Sequence, residues 1–116
     1  MATRAASLHK TNEGVAVVTW EGITENDDGA PVSLAAYPDK TVQAVGDFTS
    51  GGAITMQGSN DGTNWATLTN PRGDAIVLTA ATQIEVIAEN PLYIRPIATA
   101  GSGVQMDVIV VGAPRG

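Results

Sequence analysis

Residues 54–68 read I-T-M-Q-G-S-N-D-G-T-N-W-A-T-L. Ile54 and Met56 come before, and Trp65 and Leu68 after, a run that holds Gly58, Ser59, Asn60, Asp61, Gly62 and Asn64. Small and Asx-type residues between two apolar stretches are turn chemistry between strands, so the segment predicts a β-hairpin. Asp61 and Gly62 suit a tight turn, because glycine carries no Cβ to penalise positive φ and aspartate can accept hydrogen bonds from its own backbone. Asn60, Asp61, Gly62 and Trp65 are therefore assigned to building the hairpin. Trp65 supplies the largest apolar surface of the returning strand and is expected to lie largely buried beside Met56, which puts the cost of Trp65→Ala at about 3–5 kcal/mol.

Working outward, the chain keeps delivering short strands. Asn70-Pro71-Arg72-Gly73 is a turn signal before Ile76, Val77 and Leu78, and Ile84, Val86 and Ala88 then alternate with Glu85 and Ile87. Asn90-Pro91 opens a strand over Leu92–Ala98 in which Tyr93, Arg95 and Ile97 share a face, while Pro96 marks an edge or an irregularity. After the Gly101-Ser102-Gly103 turn, Val104, Met106, Val108 and Val110 form an apolar face opposite Gln105 and Asp107. On the N-terminal side, Val15–Trp20, Pro31–Tyr37 and Thr41–Phe48 read as further strands. No stretch of helical period is long enough to cover a parallel sheet. The prediction is an all-β domain, an antiparallel β-sandwich or flattened β-barrel of roughly seven to nine short strands, over residues 15–116, preceded by an arm over residues 1–14.

Two strands carry aliphatic residues on both faces. Ile109 and Val111 oppose the main apolar set of the last strand, and Val45 opposes Val42 and Ala44. A monomeric sandwich would expose that second set, which points to self-association.

Composition narrows the function classes. The 116 residues hold 12 acidic and 6 basic side chains, a net charge of −6, one histidine and no cysteine. Absence of cysteine removes disulfides, thiol catalysis and Cys-based metal sites. The acidic balance opposes binding to a phosphate backbone, so no nucleic-acid partner is expected. Nor is a membrane partner: no run approaches the ~20 apolar residues of a spanning helix. Residues 1–14 lack the apolar run of a secretory signal, so the expected site of synthesis and residence is the cytoplasm. Glu21, Glu25, Asp27 and Asp28 gather before Gly29 without the spacing of a calcium loop, and are read, with Asn60, Asp61 and Asn64, as solvated loop chemistry; no metal or cofactor is assigned. Gly51-Gly52 lacks the lysine and the following helix of a phosphate loop. No enzyme is expected, since the single histidine, His9, sits in the arm. Tyr93 and Arg95 are read as a structural same-face pair, with the guanidinium held by an acidic side chain.

Three features together carry a resemblance: G-S-N-D-G-T-N-W at Gly58–Trp65, E-N-P-L-Y-I-R-P at Glu89–Pro96, and the small-residue turn into the last apolar strand. This arrangement, over roughly Thr41 to Gly112, resembles the small decoration, or cement, proteins of tailed-bacteriophage capsids. The resemblance implies a virion structural protein that binds the outside of an assembled head, with the major capsid protein as partner and a homotrimer as the working form. It also implies a place on the capsid exterior after synthesis in the host cytoplasm. Arg4, His9 and Lys10 become candidate capsid contacts, because they put positive charge on an acidic chain outside the predicted strands. S-x-D-G-x-x-W also resembles a hairpin of discoidin-like carbohydrate-binding β-sandwiches. The alternatives are thus a carbohydrate-binding module, which needs an exposed aromatic platform from among Trp20, Trp65, Tyr37, Tyr93 and Phe48, or another phage structural protein associated with a tail or fibre.

Overall fold

Short β-branched runs cut by glycine, proline and Asx residues cannot sustain a long strand, and the chain meets its backbone hydrogen-bonding demand by laying many short ones side by side. The computed structural model describes residues 3–10, 14–24, 27–48, 51–100 and 105–114, and these contain no helix. Their strands are β1 (Thr3–Arg4), β2 (Ala6–Lys10), β3 (Ala16–Thr24), β4 (Asp28–Gly29), β5 (Asp39–Gly46) and β6 (Ala53–Ser59). They continue with β7 (Ala66–Thr67), β8 (Val77–Leu78), β9 (Ile84–Ile87), β10 (Tyr93–Ala100) and β11 (Gln105–Ala113). Glu25 and the Gly101–Gly103 turn with Val104, all used in the sequence reading, lie outside the described residues.

The strands form two facing sheets. The first runs β1-β4-β10-β6-β7, with β8 pairing further along β6, and the second runs β2-β3-β11-β5-β9. Every pairing is antiparallel except the two-residue match of β1 with β4. The fold is an all-β sandwich, as the alternation required. Val18, Trp20 and Ile23 of β3, Val42 and Ala44 of β5, and Met106, Val108 and Val110 of β11 face Ile54, Met56, Ile94 and Ala98 of the first sheet across an almost wholly aliphatic core.

Pro96 sits mid-strand, is buried, and lacks the N–H that its place opposite Gly29 would use in the ladder. Backbone amides two residues apart point to the same side of a strand. On that side of β10, Ile94 N–H donates to Val32 O (2.9 Å) and Ala98 N–H to Asp27 O (2.8 Å), and Pro96 interrupts this run of donors between them. Its ring lies on Gly29, where a Cβ would come within 2.6 Å of Pro96 Cδ; only glycine admits that approach.

Three expectations change. Residues 31–37 make no strand but a single bridge, Val32 to Ile94, with a turn at Ala35-Ala36, because prolines at both ends limit their ladder donors. Residues 3–10, read as part of an arm, are paired strands that cross from the edge of the first sheet to the edge of the second at Ala5. The core tryptophan is Trp20, fully buried with its indole N–H on Ala30 O at 2.9 Å. Trp65 is only half-buried, since Leu68 and not Trp65 reaches Met56, its amide donating to Met56 O at 2.9 Å. Parity along the returning strand then puts Trp65 on the outer side with Thr67 and Gln57.

Candidate interaction surface

The Gly58–Trp65 motif folds into a loop rather than a two-residue turn. Its centre is the Asp61 carboxylate: Oδ1 accepts from the amides of Thr63 and Asn64 (both 2.8 Å) and from Ser59 Oγ (2.8 Å), and Oδ2 accepts from Asn64 Nδ2 (2.7 Å). These bonds, that from the Asn64 amide foremost, hold the carboxyl far below the usual carboxylate range. Ser59 Oγ in turn takes the Gly62 amide at 2.8 Å, and Gly62 sits at φ +77°, a conformation that glycine adopts without strain. Both oxygens of Asp61 are thus committed to the loop. Among the described residues no group of three or more His, Cys, Asp or Glu side chains could hold a metal ion.

The second motif docks on the first. Asn60 Oδ1 accepts the Leu92 amide at 2.9 Å, Tyr93 pairs with Ser59 across the ladder, and the Tyr93 ring lies beside Gly62. Arg95 closes the unit: its guanidinium stacks over Trp65 at 4.1 Å from the ring centroid, Nε donates to Gln57 Oε1 at 3.0 Å, and Nη1 reaches Asp28 Oδ2 at 3.4 Å. The expected acidic partner of Arg95 is therefore Asp28. Gln57 was not singled out in the sequence, and Asp28 was read there only as part of a solvated acidic loop, because each comes from a strand whose register only the sheet defines. Below this cluster, Glu89 is pushed up by partial burial, but hydrogen bonds from the Thr69 hydroxyl and amide outweigh that and leave it below its ordinary value. Around this cluster the outer face of the first sheet is a surface of polar and aromatic groups that satisfy one another, and further along the same face Val77 is exposed.

The candidate contact residues at the N-terminus separate. Arg4 Nε binds Asp27 Oδ2 at 2.8 Å, and Asp27 is buried and also accepts the amide and hydroxyl of Thr24, so Arg4 clamps β1 to its sheet. His9 and Lys10 stay exposed on β2, the outermost strand of the second sheet.

The outer face of the second sheet has a different character. The ladders align Val17, Val111, Thr41 and Val86 in one row across four strands, and Thr19, Ile109, Gln43 and Ile84 in the next. Across these four strands neither row holds an ionisable side chain, while β2 extends the first row to His9 and the second to Ser7; Val111, Val86 and Ile84 are 36%, 47% and 62% exposed. On β9 the apolar alternation thus splits: Ile84 and Val86 face outward and Ile87 enters the core. At one end of the rows a groove of about 510 Å³ opens between Pro38 and Pro71, floored by Val86, Val111 and Ala113. Lys40 lines its inner end, buried, with its ammonium donating to Tyr37 O at 3.0 Å and to Asn90 Oδ1. Ile109 and Val111 were legible as an outward-facing second set, half-buried at Ile109; Val17, Ile84 and Val86 join them only through strand order.

No family model matches this chain, and no curated protein matches it. Among solved structures it is similar to the SPBc2 prophage-derived protein YomS, at 16% identity over 84% of this chain and 95% of that one, with a TM-score of 0.57. A conserved protein with a double-stranded beta-helix domain from Klebsiella pneumoniae aligns at 19% identity over 94% of this chain and 71% of its own, with a TM-score of 0.49. At such identities the likeness to YomS is one of fold.

Proposed function

We propose that this chain is a phage structural protein that attaches to the outside of an assembled head and stabilises it, as a decoration or cement protein. The observation that carries the reading is that the two motifs behind the resemblance form one physical unit. The Gly58–Trp65 loop and the Glu89–Pro96 strand share the Asn60 to Leu92 hydrogen bond and the Trp65–Arg95 stack. A unit of interlocked residues is a more specific likeness than two separate hairpin signals. The prophage origin of YomS supports the coarser part of the reading, an association with phage. The major capsid protein is the partner, the capsid exterior is the place of action, and three copies at a threefold position are the working form. Multivalent attachment lets modest contacts per copy add through effective concentration. His9 and Lys10, exposed on an edge strand of an otherwise acidic chain, are the capsid-facing candidates; Arg4 is engaged by Asp27.

One observation favours a second reading. Trp65 lies half-exposed on the outer face of the first sheet, where an aromatic can stack on a sugar ring, although Arg95 already covers one of its faces. A single experiment separates the two. Purified protein is added to heads that lack it, the heads are sedimented, and DNA release is followed on heating or chelation, with a His9→Ala/Lys10→Glu double variant alongside. Co-sedimentation with delayed DNA release supports head binding, and loss of binding by the double variant supports the β2 edge as the contact. Absence from the head pellet, with saturable binding to a purified polysaccharide, overturns the decoration reading.

A further inference from the structure

The outer face of the second sheet is the part of this molecule whose surface is least finished. Its two central rows are aliphatic or uncharged across β3, β11, β5 and β9, they are continuous with the groove between Pro38 and Pro71, and Val111, Val86 and Ile84 stand exposed in them. We propose that this face is where copies of the chain meet, with the groove receiving aliphatic side chains of a second copy. The inference concerns the copy-to-copy contact of the assembly proposed above and is tested apart from head binding.

Charge directs a second copy to this face. Two chains that each carry −6 repel over most of their surfaces, and like charges brought together at an interface are costly. The rows through Val111 and Ile109 are where that repulsion is smallest, because their nearest carboxylates stand at the margins: Asp39 beside the groove, and Asp107 turned to accept the Gly22 amide at 2.9 Å. A basic partner would be drawn to the acidic surface elsewhere and gain nothing here. A lipid surface is disfavoured too, since the face has neither the tryptophans nor the flanking lysines and arginines of an interfacial membrane binder.

Area sets the strength. With strands ~4.8 Å apart and same-face residues ~6.8 Å apart, four strands taken three residues deep present roughly 400 Å² in projection, and side-chain relief and the two proline rims add to that. Two such faces bury about 800–1,200 Å² in total, the low end of specific interfaces, so association in the micromolar range is expected in solution and fuller occupancy where copies are concentrated side by side. The same geometry relates mass to symmetry. A face that meets itself closes as a dimer, and a face that meets a different patch closes as a ring.

The test is light scattering coupled to size exclusion, with sedimentation velocity, from about 1 to 100 µM, a range that brackets the expected affinity. Three proteins are compared: the natural chain, Val86→Lys on the exposed face, and Thr67→Lys, an exposed position on the opposite outer face. Ile84→Glu serves as a second disruptive variant, and circular dichroism melts establish that all variants are folded. The natural chain and Thr67→Lys are expected to rise from 11.9 kDa towards two or three times that mass, while Val86→Lys and Ile84→Glu stay at 11.9 kDa. A plateau at two chains keeps this surface and overturns the trimer. A natural chain that remains monomeric at the highest concentration overturns the inference, as does an oligomer that survives both substitutions. If the natural chain is monomeric while Val86→Lys loses head binding, the face belongs to the capsid partner instead, which also overturns it and leaves the decoration reading standing.

Discussion

The two outer faces of this sandwich solve the same problem in opposite ways. On the first sheet, Arg95 ties Trp65, Gln57 and Asp28 together, Thr55 and Thr99 hydroxyls bond each other at 3.2 Å, and the Asp61 loop closes on its own amides. Groups that solvent would otherwise hydrate are paired within the chain. On the second sheet, Val17, Ile109, Val111, Val86 and Ile84 stand in outward-facing rows, half-buried at Val17 and Ile109 and exposed at Val111, Val86 and Ile84. A surface finished from within has no need of a partner, whereas bare β-branched rows gain free energy only from being covered, at roughly 25 cal/mol per Å² of apolar area. The difference teaches that exposure alone does not mark an interface; what matters is whether the exposed groups already satisfy one another.

Substitutions can break or sharpen that contrast. The core sets the scale: Trp20→Ala empties the largest buried side chain between the sheets and is expected to cost about 3–5 kcal/mol in denaturant unfolding. A loss below about 1 kcal/mol would mean that the sheets are not packed on Trp20. On the finished face, Trp65→Ala removes partial burial and the Arg95 stack, for an expected loss of about 1–2 kcal/mol. A larger loss, near that of Trp20→Ala, would return Trp65 to the core. On the bare face, Val86→Lys should leave the unfolding free energy of the monomer within about 0.5 kcal/mol, because its side chain has no cover to lose. A fall of several kcal/mol would show Val86 to be part of the core.

The smallest expected effect concerns pH. Asp61 has its folded pKa depressed by its hydrogen bonds, so its contribution to stability is fully present above the unfolded value of about 3.9 and declines as pH falls below it. Asp61→Asn should therefore melt below the natural protein at neutral pH, and the gap should narrow as pH drops through the carboxylate range. A gap that widens with acidity would contradict the assignment of these bonds to the ionised carboxylate.

Several parts of this architecture were legible in the residues and others were not, for reasons of register. The alternation of β11 is unambiguous, because Met106, Val108 and Val110 are separated by Asp107 on one side and by aliphatics on the other, so both the core face and the suspicious second face could be read. Pro96 announced its irregularity. Trp65 could not be placed, since its parity depends on how many residues the loop after Ser59 absorbs, and one residue of slip exchanges core for surface. Ile84, Val86 and Ile87 present the same ambiguity in a strand that is apolar on both faces. Strand β2 left no pattern at all: Ser7, His9 and Lys10 alternate with little, because an edge strand buries too few side chains to need a periodic face. Of the candidate sites, the two motifs could be recognised singly; their contact through Asn60 and Arg95 is a property of the β6–β10 pairing.

The most direct measurement is electron cryomicroscopy of purified heads to which the protein has been added in excess. The expected result is density for this sandwich on the outer capsid surface, with neighbouring copies touching through the rows of Ile109, Val111 and Val86 and the Trp65–Arg95 face turned to solvent. Heads that carry no such density, or copies whose second sheet faces open solvent while the finished face makes the contacts, would contradict it.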